Sequence, residues 1–116
     1  MVVGNTKDLE KKTIESYQVQ GVTMKVLVSP KEGWEGHVMR DHEVEENGYT
    51  PKDSHPWPHI NYIIEGSGEL MIDGVVHPVS AGSYAYVPLD TLHQFKNVGQ
   101  GIFKFICIVP EFGHQY

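Results

Sequence analysis

Residues 48–66 read GYTPKDSHPWPHINYIIEG, and residues 82–97 read GSYAYVPLDTLHQFKN. In the first stretch Pro51, Pro56 and Pro58 exclude a helix over 49–58 and leave a stiff loop. The run from His59 to Ile64 is strand material, stopped at Glu65-Gly66. In the second stretch Ser83 to Val87 predicts a strand ended by Pro88, and His93 to Val98 predicts another. His55, His59 and His93 stand in the loop and strands of these two stretches. A metal ion needs several donors at one point, and a loop and two strands that turn inward would supply them. The Pro-Trp-Pro segment between His55 and His59 restricts the loop before any ion arrives, which lowers the ordering cost of such a site.

Outward from these stretches, strand signals dominate. Val22 to Val28 is a strand closed by Ser29-Pro30, and KEGWEG is a loop. His37 to Glu45 is a strand closed by the turn dipeptide Asn47-Gly48. Glu69 to Ile72 and Val75 to Val79 flank Asp73-Gly74, the signature of a two-residue type I′ hairpin. Ser80-Ala81-Gly82 makes a turn, as does Asn97 to Gly101, and the apolar run GIFKFICIV from Gly101 to Val109 ends at Pro110. Asp8 to Tyr17 could form a helical turn or two, and the tail EFGHQY is expected to be poorly ordered or docked on a neighbour. Eight or nine short strands without a long helix predict an all-β fold, a sandwich or a double-sheet jelly roll. The 116 residues suit one domain: an N-terminal arm over 1–12 and a barrel over 13–116.

The net charge is −6 with no cluster of Lys and Arg, which argues against a nucleic-acid partner. No stretch approaches the roughly 20 apolar residues of a membrane span. The single cysteine, Cys107, forms no intrachain disulfide, and the first residues lack a signal-peptide core, so a cytoplasmic location is expected.

The two opening stretches resemble the two motifs of the cupin superfamily, G-x5-H-x-H-x3,4-E-x6-G and G-x5-P-x-G-x2-H-x3-N. Gly82, Pro88, His93 and Asn97 fit the second, with Asp90 in its glycine slot. In the first, Asp53 stands where a histidine belongs, one residue close to Gly48, and His59 stands in the glutamate slot. The form TP-x-x-SHPW-x-H is similar to small single-domain cupins with an all-histidine site. The resemblance covers roughly residues 22–110 and implies a double-stranded β-helix, or jelly-roll barrel. It also implies one divalent transition metal ion, Mn, Fe, Ni or Zn, on His55, His59 and His93. Asp53 could complete the ligand set, orient a histidine from behind, or be a loop residue. Fold alone does not select a reaction.

Strand parity predicts the pocket. His93 inward brings Phe95 and Asn97 inward, and His59 inward brings Asn61 and Ile63. Lys104 outward puts Phe103, Phe105, Cys107 and Val109 inside. Ile102, Ile106 and Ile108 then make the other face apolar as well, which predicts cover by a second subunit, a homodimer. The pocket residues are therefore Phe95, Phe105, Cys107 and Asn61. Cys107 is read foremost as a small buried hydrophobe. Arg40 is either a solvated edge charge or, with Asp53, part of the working site, anchoring a substrate carboxylate. His42 alternates with Arg40 and can face inward, whereas His37, His77 and His114 are read as surface or tail positions. Asp41 and Glu43 could act as bases only if their strand turned them inward. Trp57 and Tyr62 are packing or rim residues, and Trp34 is a lid or interface anchor.

These readings lead to a metal-dependent enzyme, oxygenase-like or a lyase or isomerase, acting on a small organic molecule. The competing readings are a small-ligand binding or sensing module with a metal in the barrel, and a barrel whose metal is structural or partly lost.

Overall fold

In most strands buried and exposed side chains alternate, because each strand has one face on the interior and one on the outside. The computed structural model describes residues 1–16 and 18–114. It contains β1 (Lys12–Thr13), β2 (Gln20–Val28), β3 (His37–Tyr49), β4 (His59–Glu65), β5 (Ser67–Ile72), β6 (Val75–Ser80), β7 (Tyr84–Val87), β8 (His93–Lys96) and β9 (Phe103–Pro110). The pairs are antiparallel. The order is β6-β5-β8-β3-β9-β4-β7, with β2 on β3 and β1 on β2. The long strand β3 joins the two halves: its first part lies against β2 and β9, and its last residue, Tyr49, pairs with Lys96 of β8. The sheet therefore curls over itself as an all-β jelly-roll barrel. Val44, Phe103, Phe105, Leu70, Val87 and Val109 fill its interior. None of the described residues forms a helix long and apolar enough to cross a membrane.

Asp73 (φ 48°) and Gly74 (φ 83°) both take the left-handed conformation that a type I′ turn requires, and Ile72 pairs with Val75. The parity of β9 is also as read: Phe103, Phe105, Cys107 and Val109 are buried, and Lys104 is on the other face. There Lys104 lies 3.6 Å from Asp41 and 3.5 Å from Glu43. Asp41 and Glu43 thus face away from the pocket, and burial raises the carboxyl pKa of Asp41.

Three expectations change. Asn47-Gly48 does not end its strand; β3 continues to Tyr49 across an irregularity against β2. Asn47 adopts φ 63° there, and a Cβ on Gly48 would sit 2.6 Å from the Gln20 carbonyl oxygen. The dipeptide bends a strand because β2 already occupies the space a hairpin return would need. Over residues 8–16 no helical turn forms beyond a short 3-10 turn at Thr6–Asp8; Lys12 and Thr13 instead pair with Met24 and Thr23. Tyr17, the end of that expected segment, lies outside the described residues. The tail docks on its own chain: Phe112 packs edge-on against Trp57, and Gly113 is buried against the indole. Gln115 and Tyr116 lie outside the described residues.

The outside of β4, β7 and β9 is apolar. Ile60 pairs with Ile108 and Tyr86, and Tyr62 with Ile106 and Tyr84. Tyr84 is 83% exposed and Ile60 53%.

Of the glycines, Gly66 leaves the least room for a side chain. It has φ 81°, and a Cβ there would lie 2.3 Å from the Ile102 carbonyl oxygen. Gly74 has a similar φ of 83° with open space around it. Gly66→Ala is expected to destabilise by about 3 kcal/mol or more, and Gly74→Ala by only about 1 kcal/mol. Urea unfolding midpoints of the two variants check this, and equal losses would remove the steric argument.

Candidate metal centre

His55 reaches the interior because its loop is laced to β8. Thr50 N donates to the Phe95 carbonyl (3.0 Å), and Phe95 N to Thr50 Oγ1 (3.0 Å). Asp53 N donates to the His93 carbonyl (3.0 Å), and His93 N returns a bond to the Asp53 carbonyl (2.9 Å). Asp90 N donates to the His55 carbonyl (2.8 Å). Residues 50–55 thus run beside β8 and carry His55 next to His93. Asp90 has φ 55°, so its place in the motif's glycine slot is a left-handed turn that aspartate tolerates. Asn97 is a structural end-stop: its Nδ2 donates to the Val44 and Gly101 carbonyls, each at 2.9 Å.

One nitrogen from each of His55, His59 and His93 lies within 4.8 Å of the other two. Each Nδ1 is engaged from behind by an oxygen. His55 Nδ1 donates to the Trp57 carbonyl at 2.9 Å and His93 Nδ1 to the Thr91 carbonyl at 2.9 Å. His59 Nδ1 donates to Asn61 Oδ1 at 2.5 Å. The Asn61 amide nitrogen is committed to the Ile106 carbonyl (3.4 Å), which leaves its oxygen for His59. A carbonyl oxygen only accepts, so the proton of each neutral ring sits on Nδ1 and the Nε2 lone pair is bare. The Nε2 atoms of His59 and His93 face each other at 3.2 Å. Two lone pairs at that distance repel, and a cation between imidazoles removes the repulsion. The donor set fits a divalent transition ion, and the backing oxygens fix ring orientation as metal sites require.

Burial keeps the rings neutral. It pushes His59 down to about 4 and lowers His55 and His93 as well. The Asp53 carboxylate opposes the shift at His55 and His93 by its charge.

The triad opens on a cavity of about 100 Å³. The predicted pocket residues Asn61, Phe95, Phe105 and Cys107 all line it, as do Arg40 and Asp53. Asn61, Cys107 and Arg40 stand in one cross-strand row, since Cys107 pairs with both of the others. Arg40 is buried, and its guanidinium donates to Cys107 Sγ at 3.2 Å. Asp53 is exposed, and its carboxylate is not among the converging metal-ligating atoms. The Asp53 side chain lines the cavity from its exposed edge, opposite His93 in the pairing of its loop with β8, and stands outside the converging set of ligand atoms.

Two contributors were underweighted by the sequence. Trp57 stacks on His55 with ring centres 4.3 Å apart and planes 5° apart, and so braces a ligand. His42 lines the cavity and stacks on Phe105, its cross-strand neighbour. The signal was the Arg40–His42 alternation. His114, read as a surface position, is partly buried, and Trp34 stacks on His37 rather than on the pocket.

The chain belongs to the cupin family: the family described as Cupin domain (Cupin_2) matches residues 33–109. A polyketide synthase of Streptomyces cyaneus, CurC, is 30% identical over 76% of the chain and 58% of its own length. An uncharacterised protein of Methanocaldococcus jannaschii is 33% identical over 48% of the chain and 46% of its own length. The chain thus spans about half the length of these curated relatives. Among solved structures, the polyketide cyclase RemF of Streptomyces resistomycificus superposes with a TM-score of 0.89. It is 25% identical, with 96% of this chain and 80% of that one covered. A predicted oxalate decarboxylase of Thermotoga maritima has a TM-score of 0.85 at 18% identity, over 94% and 98% of the two chains, and shares the fold.

The pH dependence follows from His59. Its ring titrates near 4 in the folded chain and near 6.5 when unfolded, so between these values the unfolded chain binds more protons. Stability is full above about pH 6.5 and falls as pH drops toward 4, by on the order of 3 kcal/mol from this group. Urea titrations of chelator-treated protein at pH 7 and 4.5 check it. His59→Leu is expected to flatten the slope, and an unchanged slope would show that His59 does not set it.

Proposed function

We propose that this chain is a metal-dependent enzyme that activates a carbonyl group of a small oxygen-rich molecule, as a lyase or isomerase acting on a poly-β-carbonyl chain. The observation that carries this reading is the set of bare Nε2 atoms meeting at a cavity that Phe95 and Phe105 wall on one side. The likeness to a polyketide synthase and a polyketide cyclase supports the substrate class. Mn, Fe, Ni or Zn suits the donor set, and such an ion supplies Lewis acidity at a carbonyl oxygen.

The protein groups have separate tasks. Asn61 and the Trp57 and Thr91 carbonyls hold the three rings in register. Phe95 and Phe105, stacked with centres 4.2 Å apart, form an apolar wall for a carbon skeleton. Arg40 places a positive charge at the cavity, a setting that favours developing negative charge on oxygen. A cavity of about 100 Å³ takes a ring-sized segment, so a longer chain would enter by its reacting end.

The apolar outside of β4, β7 and β9 is proposed to pack on a second copy. Ile60, Tyr62, Tyr84, Tyr86, Ile106 and Ile108 carry no formal charge, so two chains of net charge −6 meet there with least repulsion. Light scattering is expected to give a dimer, with Tyr62→Glu a monomer; a monomeric wild type would remove the proposal.

His93→Ala is expected to lose bound metal, and Asp53→Ala to keep it with affinity within about tenfold. Elemental analysis of both checks the ligand set. Function is tested with a 3,5-diketo thioester and metal-loaded protein. A product isomeric with the probe, or lighter by one water, without O2 consumption is expected. O2 uptake would instead make the protein an oxygenase, and binding without conversion would make it a sensing module.

A further inference from the structure

His42 has no part in the metal centre, yet it sits at the same cavity. It is 7% exposed, and its Nδ1 is buried without a hydrogen-bond partner. Leaving a buried imidazole nitrogen unpaired costs about 1–3 kcal/mol, and an apolar side chain of similar shape would avoid that cost. The surroundings already suit such a side chain. The ring stacks on Phe105 with centres 5.1 Å apart and planes 9° apart, and Phe105 in turn stacks on Phe95. Packing therefore explains a flat ring here but not its nitrogens. Nδ1 is shut off behind the ring, so Nε2 is the nitrogen through which His42, as a lining residue, can meet what the cavity holds.

The chemistry narrows that ligand group. Burial, and then the charge of Arg40, hold the His42 pKa well below its ordinary value, so the ring is neutral. A neutral imidazole offers one N–H and one lone pair. The partner that uses either is a hydroxyl, which both donates and accepts. An ammonium group would be opposed by Arg40.

We infer that His42 forms a second polar subsite of the pocket, separate from the histidine triad, that binds a phenolic or enolic hydroxyl of the ligand. This deepens the proposed function, since a poly-β-carbonyl chain carries enols and its cyclised products carry phenols. It makes His42 a specificity-determining residue, one that separates hydroxylated from bare rings.

The test uses zinc-loaded protein with phenol and toluene as probes, in calorimetric titrations. The wild type is expected to prefer phenol by about tenfold, one hydrogen bond's worth in a water-poor site. His42→Phe keeps the stacking on Phe105 and is expected to hold its full zinc content, to be at least as stable, and to lose the preference to below about threefold. His42→Gln, which keeps a polar atom near the Nε2 position, is expected to retain part of it and serves if the Phe variant does not fold. A phenol preference that survives in both variants would assign hydroxyl recognition to the triad and overturn the subsite. Loss of zinc from either variant would make His42 a metal-binding residue and overturn it too, as would a wild type that takes up neither probe. Turnover of the diketo thioester is scored separately. Absent conversion with an intact phenol preference removes the proposed reaction and leaves the subsite standing.

Discussion

The pairing of residues 50–55 with β8 is the constraint on which the site depends. It consists of a few backbone hydrogen bonds, Asp53 with His93 and Thr50 with Phe95 chief among them. They turn a loop into an added edge of the sheet. Three ligands from three places otherwise carry a heavy entropic cost, because each must be ordered separately. Here β4 and β8 fix two rings by being strands, and the laced loop fixes the third. Prolines at 51, 56 and 58 remove much of the freedom that the loop would lose.

The barrel separates two kinds of work by strand parity. On β3 the inward residues Arg40 and His42 meet the cavity, while Asp41 and Glu43 meet Lys104 on the other face. Along β9 the same alternation puts Phe105 and Cys107 at the cavity, with Ile106 and Ile108 outside. A slip of one residue would exchange the two sets completely. The register is pinned at Gly66, where only hydrogen fits against the Ile102 carbonyl, and at Gly48 against Gln20.

The electrostatics of the pocket follow from burial. His55, His59, His93 and His42 all have lowered pKa values with burial as the leading cause, so four imidazoles share one interior without repelling as cations. The triad rings differ from His42 in what stands behind them. Each triad Nδ1 has an oxygen partner that aims Nε2 inward; the Nδ1 of His42 has none. That difference separates a metal-binding imidazole from one left to meet a ligand.

The sequence by itself determined the strands from β2 to β9, the Asp73-Gly74 hairpin, the inward parity of β4, β8 and β9, and the three histidines. These depend on local matters: side-chain period, turn chemistry and proline geometry act within a few residues. What the tertiary structure decided depends on long-range neighbours. Asn47-Gly48 bends a strand instead of ending it because β2 fills the space beside it. Asp53 comes to the cavity because its backbone is paired with a residue forty positions on. His42 enters the pocket because β3 pairs with β9 in a register that sets it beside Phe105. Pairing partners and register join distant parts of the chain, and no local pattern encodes them.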